Sequence, residues 1–378
     1  MRHEGKTHAI VQELKKAILG KRYGVSNPLP SVRALMRRFS VARATVDAAM
    51  SELEHDGLVK RKQGKGTFIH MPRRKTFGVV VANAYNPFYA RIVHGIEIGI
   101  ESGGNEGNTV LTASLLGRPM SDRVARAQEF VEMCIRERVA GMFYQPLHFL
   151  RDGERINRSI LKLLADAGIP VVLIDSDFMP PPRRSEYDLV GVDNEQIGYE
   201  LGRHVIEAGA RRIIYFSDPF PTPASLKRGI GVGLAVSEAG LSWGKGNVVF
   251  GLAAKKEVGK RIVAGRNRPD AIIASDDYVA AHLVKTLGAL GLRVPDDILL
   301  AGVNGDLVAE EANPPLTTVV QPCQAIGQTA ARLMLDRIAD PELITREVHL
   351  STQLVVRAST VGGAKNRGRQ TVLTKRKE

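Results

Sequence analysis

The hydrophobic residues of the first seventy positions change from a helical spacing to a strand spacing. In the helical part they recur every three or four residues, which marks one buried stripe on each predicted helix. Gly57 ends the last of these helices, and the short segments after it flank glycines that allow a tight turn. The predicted elements are helices over 7–19, 31–39 and 42–56, followed by strands over 58–62 and 67–70. This order predicts a winged helix-turn-helix, a fold that presents its third helix to the major groove of DNA.

From residue 77 onward, continuous apolar runs alternate with amphipathic helical segments. One such series extends from Phe77 to Asp175, and a second series extends from Leu189 to Val303. Apolar strands separated by helices are typical of parallel sheets that are covered on both faces. We therefore predict an α/β chain with an N-terminal winged helix-turn-helix and a sensor of two lobes, each with a parallel sheet. Two similar lobes imply a cleft between them.

The charge of the chain changes where the pattern changes. Residues 1–76 contain 17 Lys and Arg against 6 Asp and Glu, whereas residues 77–359 contain 30 against 33. The last stretch, 360–378, contains 6 basic residues and 1 acidic residue. Clustered positive charge at one end is typical of phosphate binding, so the middle of the chain is expected to bind something other than DNA. The predicted regions are a DNA-binding domain over 1–70, a linker over 71–76, a ligand-sensing and dimerisation domain over 77–358, and a basic disordered tail over 359–378.

Composition narrows the class of protein further. With 378 residues and 44% hydrophobic content, the chain can bury the cores of two or three domains. No apolar run approaches the ~20 residues that a membrane-spanning helix needs, and the first residues are polar. Only Cys134 and Cys323 are present, far apart, so we expect no disulfide framework, no metal site and no cofactor. A cytoplasmic protein without a membrane partner is expected.

Candidate DNA contacts lie at the start of the third helix and in the turn of the hairpin. Arg43, Ala44 and Asp47 fall on the face opposite the apolar stripe, at the end that a recognition helix turns toward base edges. In the turn, Lys65 can approach a phosphate, and Gly66 lets the backbone come close to DNA. The basic runs 60–62 and 73–75 are expected to attract phosphates without reading sequence.

Three motifs in this region resemble those of the GntR family of bacterial transcription regulators. They are Leu29-Pro30-Ser31-Val32-Arg33, Val41-Ala42-Arg43-Ala44-Thr45-Val46 and Gly64-Lys65-Gly66-Thr67. The resemblance implies that Arg33, Arg43, Thr45 and Gly66 face DNA. Many members carry an arginine where this chain has Asp47. Asp47 could accept a hydrogen bond from cytosine N4, or it could be a surface residue without a role in DNA recognition.

Candidate ligand contacts follow the ends of the predicted strands, because ligands of open parallel sheets bind beyond the carboxyl ends of the strands. These candidates are Asn86, Phe88, Gln145, Asp175, Asp276 and Asn304. None of the nine histidines lies in a paired ligand motif. The glycine series Gly229-x-Gly231-x-Gly233 lies inside a predicted helix, where a dinucleotide-binding turn is not expected.

The sensor region resembles the sugar-sensing domain of the LacI family. Motifs that carry the resemblance include Asn86-Pro87-Phe88-Tyr89, Arg228 with Gly231, Ser275-Asp276-Asp277 and Val294-Pro295-Asp296-Asp297-Ile298. The family pattern implies that Asn86 and Phe88 hold the ligand from one lobe and Arg228 and Asp276 from the other, with Asn304 nearby. Arg228 could donate to hydroxyls, Asp276 could accept from them, and Phe88 or Tyr89 could cover a sugar ring. A structural Arg228–Asp276 ion pair and plain packing of the aromatic residues remain alternatives.

Together these features predict a homodimeric repressor that binds a near-palindromic operator and responds to a sugar. An exported sugar carrier is the first alternative, and it conflicts with the attached DNA reader. An enzyme acting on a sugar is the second, and Asp175, Asp276 and Asp277 are its obvious supply of acid and base groups.

Overall fold

The chain folds into two separate units. The computed structural model describes residues 2–19, 22–23, 29–55, 57–62, 66–69, 74–84, 86–102, 107–115, 120–148, 152–264 and 268–362. One unit comprises residues 1–75 and 101–108, and the other comprises 76–100 and 109–378. Within the described ranges, no helix is long and apolar enough to cross a membrane.

The N-terminal unit has the predicted winged helix-turn-helix. Its elements are α1 (Arg2–Leu19), α2 (Val32–Phe39), α3 (Arg43–His55) and an antiparallel hairpin of β1 (Val59–Lys62) with β2 (Gly66–Ile69). The predicted stripes meet in one core, formed by Ile10, Val11, Leu14, Ile18, Leu35, Val46, Ala49, Met50 and Leu53. Ser31 caps α2 by accepting a hydrogen bond from Ala34 N. Helix α1 begins before the predicted start at Thr7, because its first turns carry no apolar stripe from which the start could be inferred.

The first lobe of the second unit is a six-stranded parallel sheet. Its strands are β3 (Thr76–Val81), β4 (Thr109–Ser114), β5 (Gly141–Tyr144), β6 (Val171–Asp175), β7 (Asp188–Val192) and β13 (Glu347–Leu350), in the spatial order β13-β7-β6-β5-β3-β4. Its helices are α4 (Pro87–Ser102), α5 (Met120–Arg136), α6 (Gly153–Asp166) and α12 (Cys323–Ala339). Val79 and Val80 point to opposite sides of β3 and both are fully buried, each in a different apolar cluster. The sheet is therefore covered on both faces, as predicted.

The second lobe has a six-stranded sheet in which one edge strand is antiparallel. Its strands are β8 (Ile213–Ser217), β9 (Val248–Phe250), β10 (Ala271–Ala274), β11 (Leu299–Asn304), β12 (Thr317–Val320) and β14 (Gln353–Val355), in the order β14-β12-β11-β10-β8-β9. Its helices are α7 (Asn194–Glu207), α8 (Pro223–Glu238), α9 (Lys256–Val263), α10 (Asp277–Gly288) and α11 (Leu307–Glu311). Only the β12–β14 pair is antiparallel among the described strands of this sheet.

The chain passes between the lobes more often than the two predicted series imply. The second series was predicted to begin with Leu189–Val192, and this is wrong: that segment is β7, which pairs with β6 and β13 in the first lobe. The chain then enters the second lobe at α7, returns to the first at α12, and enters the second again at β14. Three connections therefore join the lobes, at residue 193, at 321–322 and at 351–352.

The predicted start of the tail at residue 359 is also wrong. Ser359 is fully buried, and its hydroxyl donates to Leu300 O over 2.6 Å. Thr360 is 3% exposed, and its hydroxyl lies 2.6 Å from that of Thr317. These two residues belong to the folded second lobe, whereas the predicted tail from 363 to 378 lies outside the described residues.

Helices α7 and α8 pack in very close contact through glycines. A Cβ atom at Gly198 would overlap the carbonyl oxygen of Arg228, and one at Gly231 would overlap that of Glu195. The glycine series 229–233 lies inside α8, as predicted, and Gly231 packs against α7, whereas Gly229 packs against Tyr215 and Gly233 against Trp243. The contact between the two helices fixes the backbone from which the Arg228 side chain extends.

Candidate DNA interface and effector cavity

The N-terminal end of α3 exposes most of the predicted base contacts. The side chain of Arg43 is 78% exposed, and Ala44 is exposed beside it. Asp47 lies one turn further along the helix and forms an ion pair with Arg43. Thr45, in contrast, is only 5% exposed, because its position falls on the side of α3 that faces the core. This burial does not support the expectation that Thr45 faces DNA, and the contact stays a prediction.

Other predicted contacts lie around α2 and the hairpin. Arg33 is exposed on α2 and lines a concave surface together with Arg37 and Val41, at the turn that leads into α3. Gly66 begins β2 with φ at +104°, in the left-handed region that favours glycine, and it is exposed. Lys65 lies outside the described residues.

The side chain of Arg61, in the basic run 60–62, forms hydrogen bonds within the domain. Its Nη2 atom donates to the carbonyl oxygen of Asp47 over 3.1 Å and to Ser51 Oγ over 3.2 Å. Its backbone N–H also donates to Glu54 Oε1 over 3.0 Å. Arg61 therefore ties the hairpin to α3, which fixes the wing relative to the recognition helix.

The second unit contains a cavity between its lobes, at the carboxyl ends of the strands. The cavity has a volume of about 270 Å³, near the lower end of the range for small-molecule sites. All eight predicted ligand contacts line it: Asn86, Phe88, Tyr89, Gln145, Asp175, Arg228, Asp276 and Asn304.

The first-lobe wall is held by hydrogen bonds to main-chain groups. Asn86 Oδ1 accepts from Phe88 N over 2.9 Å at the start of α4, and Gln145 Oε1 accepts from Ala82 N over 2.7 Å. The rings of Phe88 and Tyr89 meet edge to face at 4.9 Å between centroids. Burial raises the pKa of the Tyr89 phenol, so this group is a neutral hydrogen-bonding group at the cavity. Phe88 is 3% exposed, and packing is a large part of its role.

Asp175 stands out on this wall for its backbone and its charge. It ends β6 with φ at +74°, in the left-handed region that favours glycine and that other residues adopt uncommonly. Burial raises the pKa of its carboxyl to about 6, and the nearby Arg228 of the other lobe opposes this shift. No described residue donates a hydrogen bond to this carboxylate. A strained, half-buried acid that faces a cavity is typical of a ligand contact.

The second-lobe wall centres on Arg228, which is 7% exposed. Its Nε donates to Asn194 Oδ1 over 2.8 Å, and its Nη1 donates to Ser275 O over 2.6 Å. Its Nη2 group donates to no residue that the structure describes. The two bonds orient the guanidinium plane, which leaves Nη2 for a ligand. A direct Arg228–Asp276 ion pair, the alternative reading, is not among the ion pairs of the described residues.

Asp276 and Asn304 are placed by the elements that follow their strands. Asp276 caps α10, with Oδ1 accepting from Val279 N over 2.9 Å, and Ser275 Oγ donates to its Oδ2 over 3.1 Å. Asn304 ends β11 with φ at +118°. Its Oδ1 accepts from Gln321 Nε2 over 2.9 Å, next to the second connection between the lobes. Internal hydrogen bonds thus use part of the hydrogen-bonding capacity of each side chain, and the rest is left for a ligand.

Sequence reasoning missed several cavity residues. Asp218 and Tyr278 follow β8 and β10, so the rule that found the other candidates could have found them. His148 carries no such signal. Burial lowers the pKa of its imidazole to about 4, so the ring is neutral at pH 7, and its Nε2 lies 2.9 Å from Ser176 Oγ.

Comparison with known proteins matches both units. Residues 6–69 match the gntR family of bacterial regulatory proteins, and residues 203–360 match the periplasmic binding protein-like domain. This chain is a transcriptional regulator. It joins a gntR-type DNA-binding domain to a periplasmic-binding-protein-like domain, and its relatives are regulators rather than enzymes.

Two relatives show how far the similarity to this regulator extends. The HTH-type transcriptional repressor PurR of Photobacterium profundum is 29% identical over 289 residues, which is 75% of this chain and 81% of the relative. The arabinose metabolism transcriptional repressor of Geobacillus stearothermophilus is 26% identical over 362 residues, which is 89% of this chain and 95% of the relative. The second alignment spans nearly the full length of both chains.

Solved structures have the same fold. The transcriptional regulator CelR, in complex with cellobiose, superposes with a TM-score of 0.61 at 25% identity, covering 88% of this chain and all of that one (100%). The regulator CcpA of Lactococcus lactis superposes with a TM-score of 0.64 at 20% identity, covering 76% of this chain and 99% of that one. The two-lobed fold of this regulator is therefore that of known transcription regulators.

Proposed function

We propose that the protein is a homodimeric, cytoplasmic repressor of carbohydrate-metabolism genes. Its affinity for a near-palindromic operator changes when a sugar or sugar derivative occupies the interlobe cavity. The observation that supports this most directly is the composition of the cavity, because both lobes of a regulator contribute polar side chains to it. Among relatives of similar fold, CelR is recorded in a complex with cellobiose.

The chemistry of the cavity favours a neutral polyhydroxyl ligand. Arg228 offers a donor from one lobe, Asp175 offers an acceptor from the other, and Phe88 and Tyr89 supply apolar ring surface. Asp175, Asp218 and Asp276 place three carboxylates around the cavity. A phosphorylated sugar would bring a further negative charge to this group and is disfavoured. Unphosphorylated sugars are the effectors that this site supports best.

Control of DNA binding follows from where the ligand sits. A ligand held by both lobes binds one relative arrangement of the lobes better than another, and so shifts the population between them. A coupling of about 1–3 kcal/mol is enough to change operator occupancy about 5- to 150-fold. In a dimer, two α3 helices must reach successive half-sites together, so a change within the sensors could release both.

The test is a footprint of the purified full-length protein on DNA upstream of its own and neighbouring genes. The salt concentration is fixed, and a panel of monosaccharides and disaccharides is compared with their phosphorylated forms. We expect a protected two-fold site that one unphosphorylated sugar alters. Protection that no sugar changes would contradict the effector class. Sugar binding without any protected site would instead favour a sugar-binding protein that lacks regulatory coupling.

A further inference from the structure

The side chains of Arg43 and Asp47 are joined on the exposed face of α3. Arg43 Nε donates to Asp47 Oδ2 over 3.4 Å, across one turn of the helix. The Arg43 side chain is 78% exposed and that of Asp47 is 42% exposed, so the pair lies on the surface of the domain. An exposed pair of this kind adds little to helix stability. The pair lies at the end of α3 that is predicted to meet base edges, so it can act in DNA recognition instead.

The atoms in this contact leave the reading face of the guanidinium free. Guanine is recognised when an arginine donates two parallel hydrogen bonds to its O6 and N7. Asp47 engages Nε, and therefore both terminal nitrogens of Arg43 remain available to form that pair. A long exposed side chain otherwise samples many rotamers and loses that freedom on binding. If Asp47 already holds the Arg43 side chain before DNA binds, less conformational entropy is lost on binding.

The helical turn that carries Asp47 is itself held in place. Arg61 of the hairpin donates to the carbonyl oxygen of Asp47 and to Ser51 Oγ. The wing thus fixes the backbone of the turn, and Asp47 in turn fixes the arginine. An acid at a DNA-facing surface repels phosphates, so Asp47 reduces nonspecific attraction to DNA. Affinity and selectivity are therefore expected to respond in opposite directions when Asp47 is removed.

We infer that Asp47 is a positioning residue that holds Arg43 for recognition of one guanine in each half-site. This inference rests on the proposed operator binding and adds to it a specific base-reading arrangement. It applies to this chain because an acid, and not a second arginine, follows Arg43 by one helical turn.

The experiment begins with the wild-type full-length protein and a random DNA library. Selection gives the preferred site, and Kd is then measured for all four base pairs at each position, and for unrelated DNA, at one salt concentration. Asp47→Ala, Asp47→Asn and Arg43→Ala are compared, with Glu52→Ala as the control. Glu52 is another exposed acid on α3, and it forms no ion pair with a described residue.

We expect Asp47→Ala to reduce the preference for guanine at one position by about 5-fold or more, within the range of about 5- to 150-fold that a good bidentate contact provides. Its affinity for unrelated DNA should rise, as it should in Glu52→Ala, which retains the guanine preference. Asp47→Asn should retain part of the preference, because its amide oxygen still accepts from Nε. In Arg43→Ala, adding Asp47→Ala should have no further effect at that position.

Two outcomes would overturn the inference while leaving operator binding intact. In the first, Asp47→Ala raises affinity for every sequence equally, as Glu52→Ala does, and Asp47 is then an ordinary surface acid. In the second, Asp47→Ala removes a preference for cytosine even when Arg43 is absent, and Asp47 then reads a base itself. If the wild-type protein selects no sequence at all, the proposed function fails together with this inference. Thermal unfolding of each variant checks that α3 still folds.

Discussion

Gly198 of α7 lies directly beneath the main-chain carbonyl of Arg228 on α8, so closely that a methyl group at position 198 would overlap that oxygen. The guanidinium that begins from this backbone is held by Asn194 of α7 and by Ser275 at the end of β10. The helix contact and the ligand contact are therefore parts of one arrangement. The orientation of Arg228 depends on how closely the two helices approach.

Gly198→Ala should accordingly weaken effector binding without altering any group that touches the effector. The added methyl group must push α8 away, at a cost of about 1–3 kcal/mol in the free energy of unfolding. Denaturation followed by Trp243, the single tryptophan, reports this cost, and calorimetric titration with the effector reports the lost affinity. Gly288→Ala is the matched control, because nothing lies within 4 Å of a Cβ atom there. Equal behaviour of the two variants would show that close packing does not position Arg228.

Stability of the sensor should depend on pH through Asp175. Burial raises the pKa of this carboxyl to about 6 in the folded protein, whereas it is near its ordinary value of 3.8 in the unfolded chain. The folded state thus binds the proton more tightly, and the stability that this provides is complete below about pH 4 and lost as the pH rises to about 6 and above. The loss corresponds to about 2–3 kcal/mol.

Asp175→Asn isolates this contribution, because its amide does not ionise. Urea denaturation at about pH 4.5 and about pH 7.5 should show that the variant gains stability relative to wild type at the higher pH. Other groups give the variant its own pH dependence, with opposite signs: burial raises the pKa of Asp277 to about 7, which lowers stability as the pH rises, and lowers the pKa of His148 to about 4, which increases it. A constant difference between the two proteins at both pH values would mean that folding does not raise the pKa of Asp175.

Arg61→Ala should lower specific DNA affinity by loosening the wing, and the salt dependence of binding distinguishes this effect from the loss of a phosphate contact. The Arg61 side chain bonds to Asp47 and Ser51 and forms an ion pair with Glu54 instead of standing free, so its loss weakens the attachment of the wing to α3. A true phosphate contact contributes about 0.9 to the slope of log K against log salt. Lys60→Ala, which removes an exposed lysine of the same strand, should reduce the slope by about that amount. Arg61→Ala should leave the slope nearly unchanged, and a reduction equal to that of Lys60→Ala would contradict the anchoring role.

Periodicity and strand ends predicted most of this architecture, and its failures have physical causes. The bounds of α2, α3 and the two hairpin strands were predicted to within a few residues, and the two series begin and end within one residue of β3 and β6 and of β7 and β11. The lobe to which β7 belongs could not be predicted, because an apolar strand looks the same in either sheet. The crossing at 321–322 depends on which residues α12 meets, including the contact between Gly95 and Gln324. That contact is long-range and leaves no local pattern.

Cavity residues were predictable where they end or follow a strand, and they were less predictable elsewhere. Asp276 and Asn304 were found because they end or follow strands, and their neighbours Asp218 and Tyr278 obey the same rule. His148 lies beyond β5 in a segment without a pattern, and only the folded chain brings it beside Ser176. Thr45 shows a different limit, because its motif position predicts a DNA contact whereas its helical phase places it on the buried side of α3, and the contact stays a prediction.

The two activities of this regulator should be separable by single substitutions. Arg43→Ala removes an exposed side chain of α3 and should abolish sequence-specific DNA binding, while the affinity for the effector stays at the wild-type value. Arg228→Ala removes the orienting donor of the cavity and should lower effector affinity about 100-fold or more, since buried hydrogen-bonding groups lose their partners. It should leave operator binding in the absence of effector unchanged. Footprinting and calorimetric titration on both variants measure this, with thermal unfolding as the control for folding. If each variant lost both activities while remaining folded, the cavity and the α3 surface would not be the separate sites described by this division of roles.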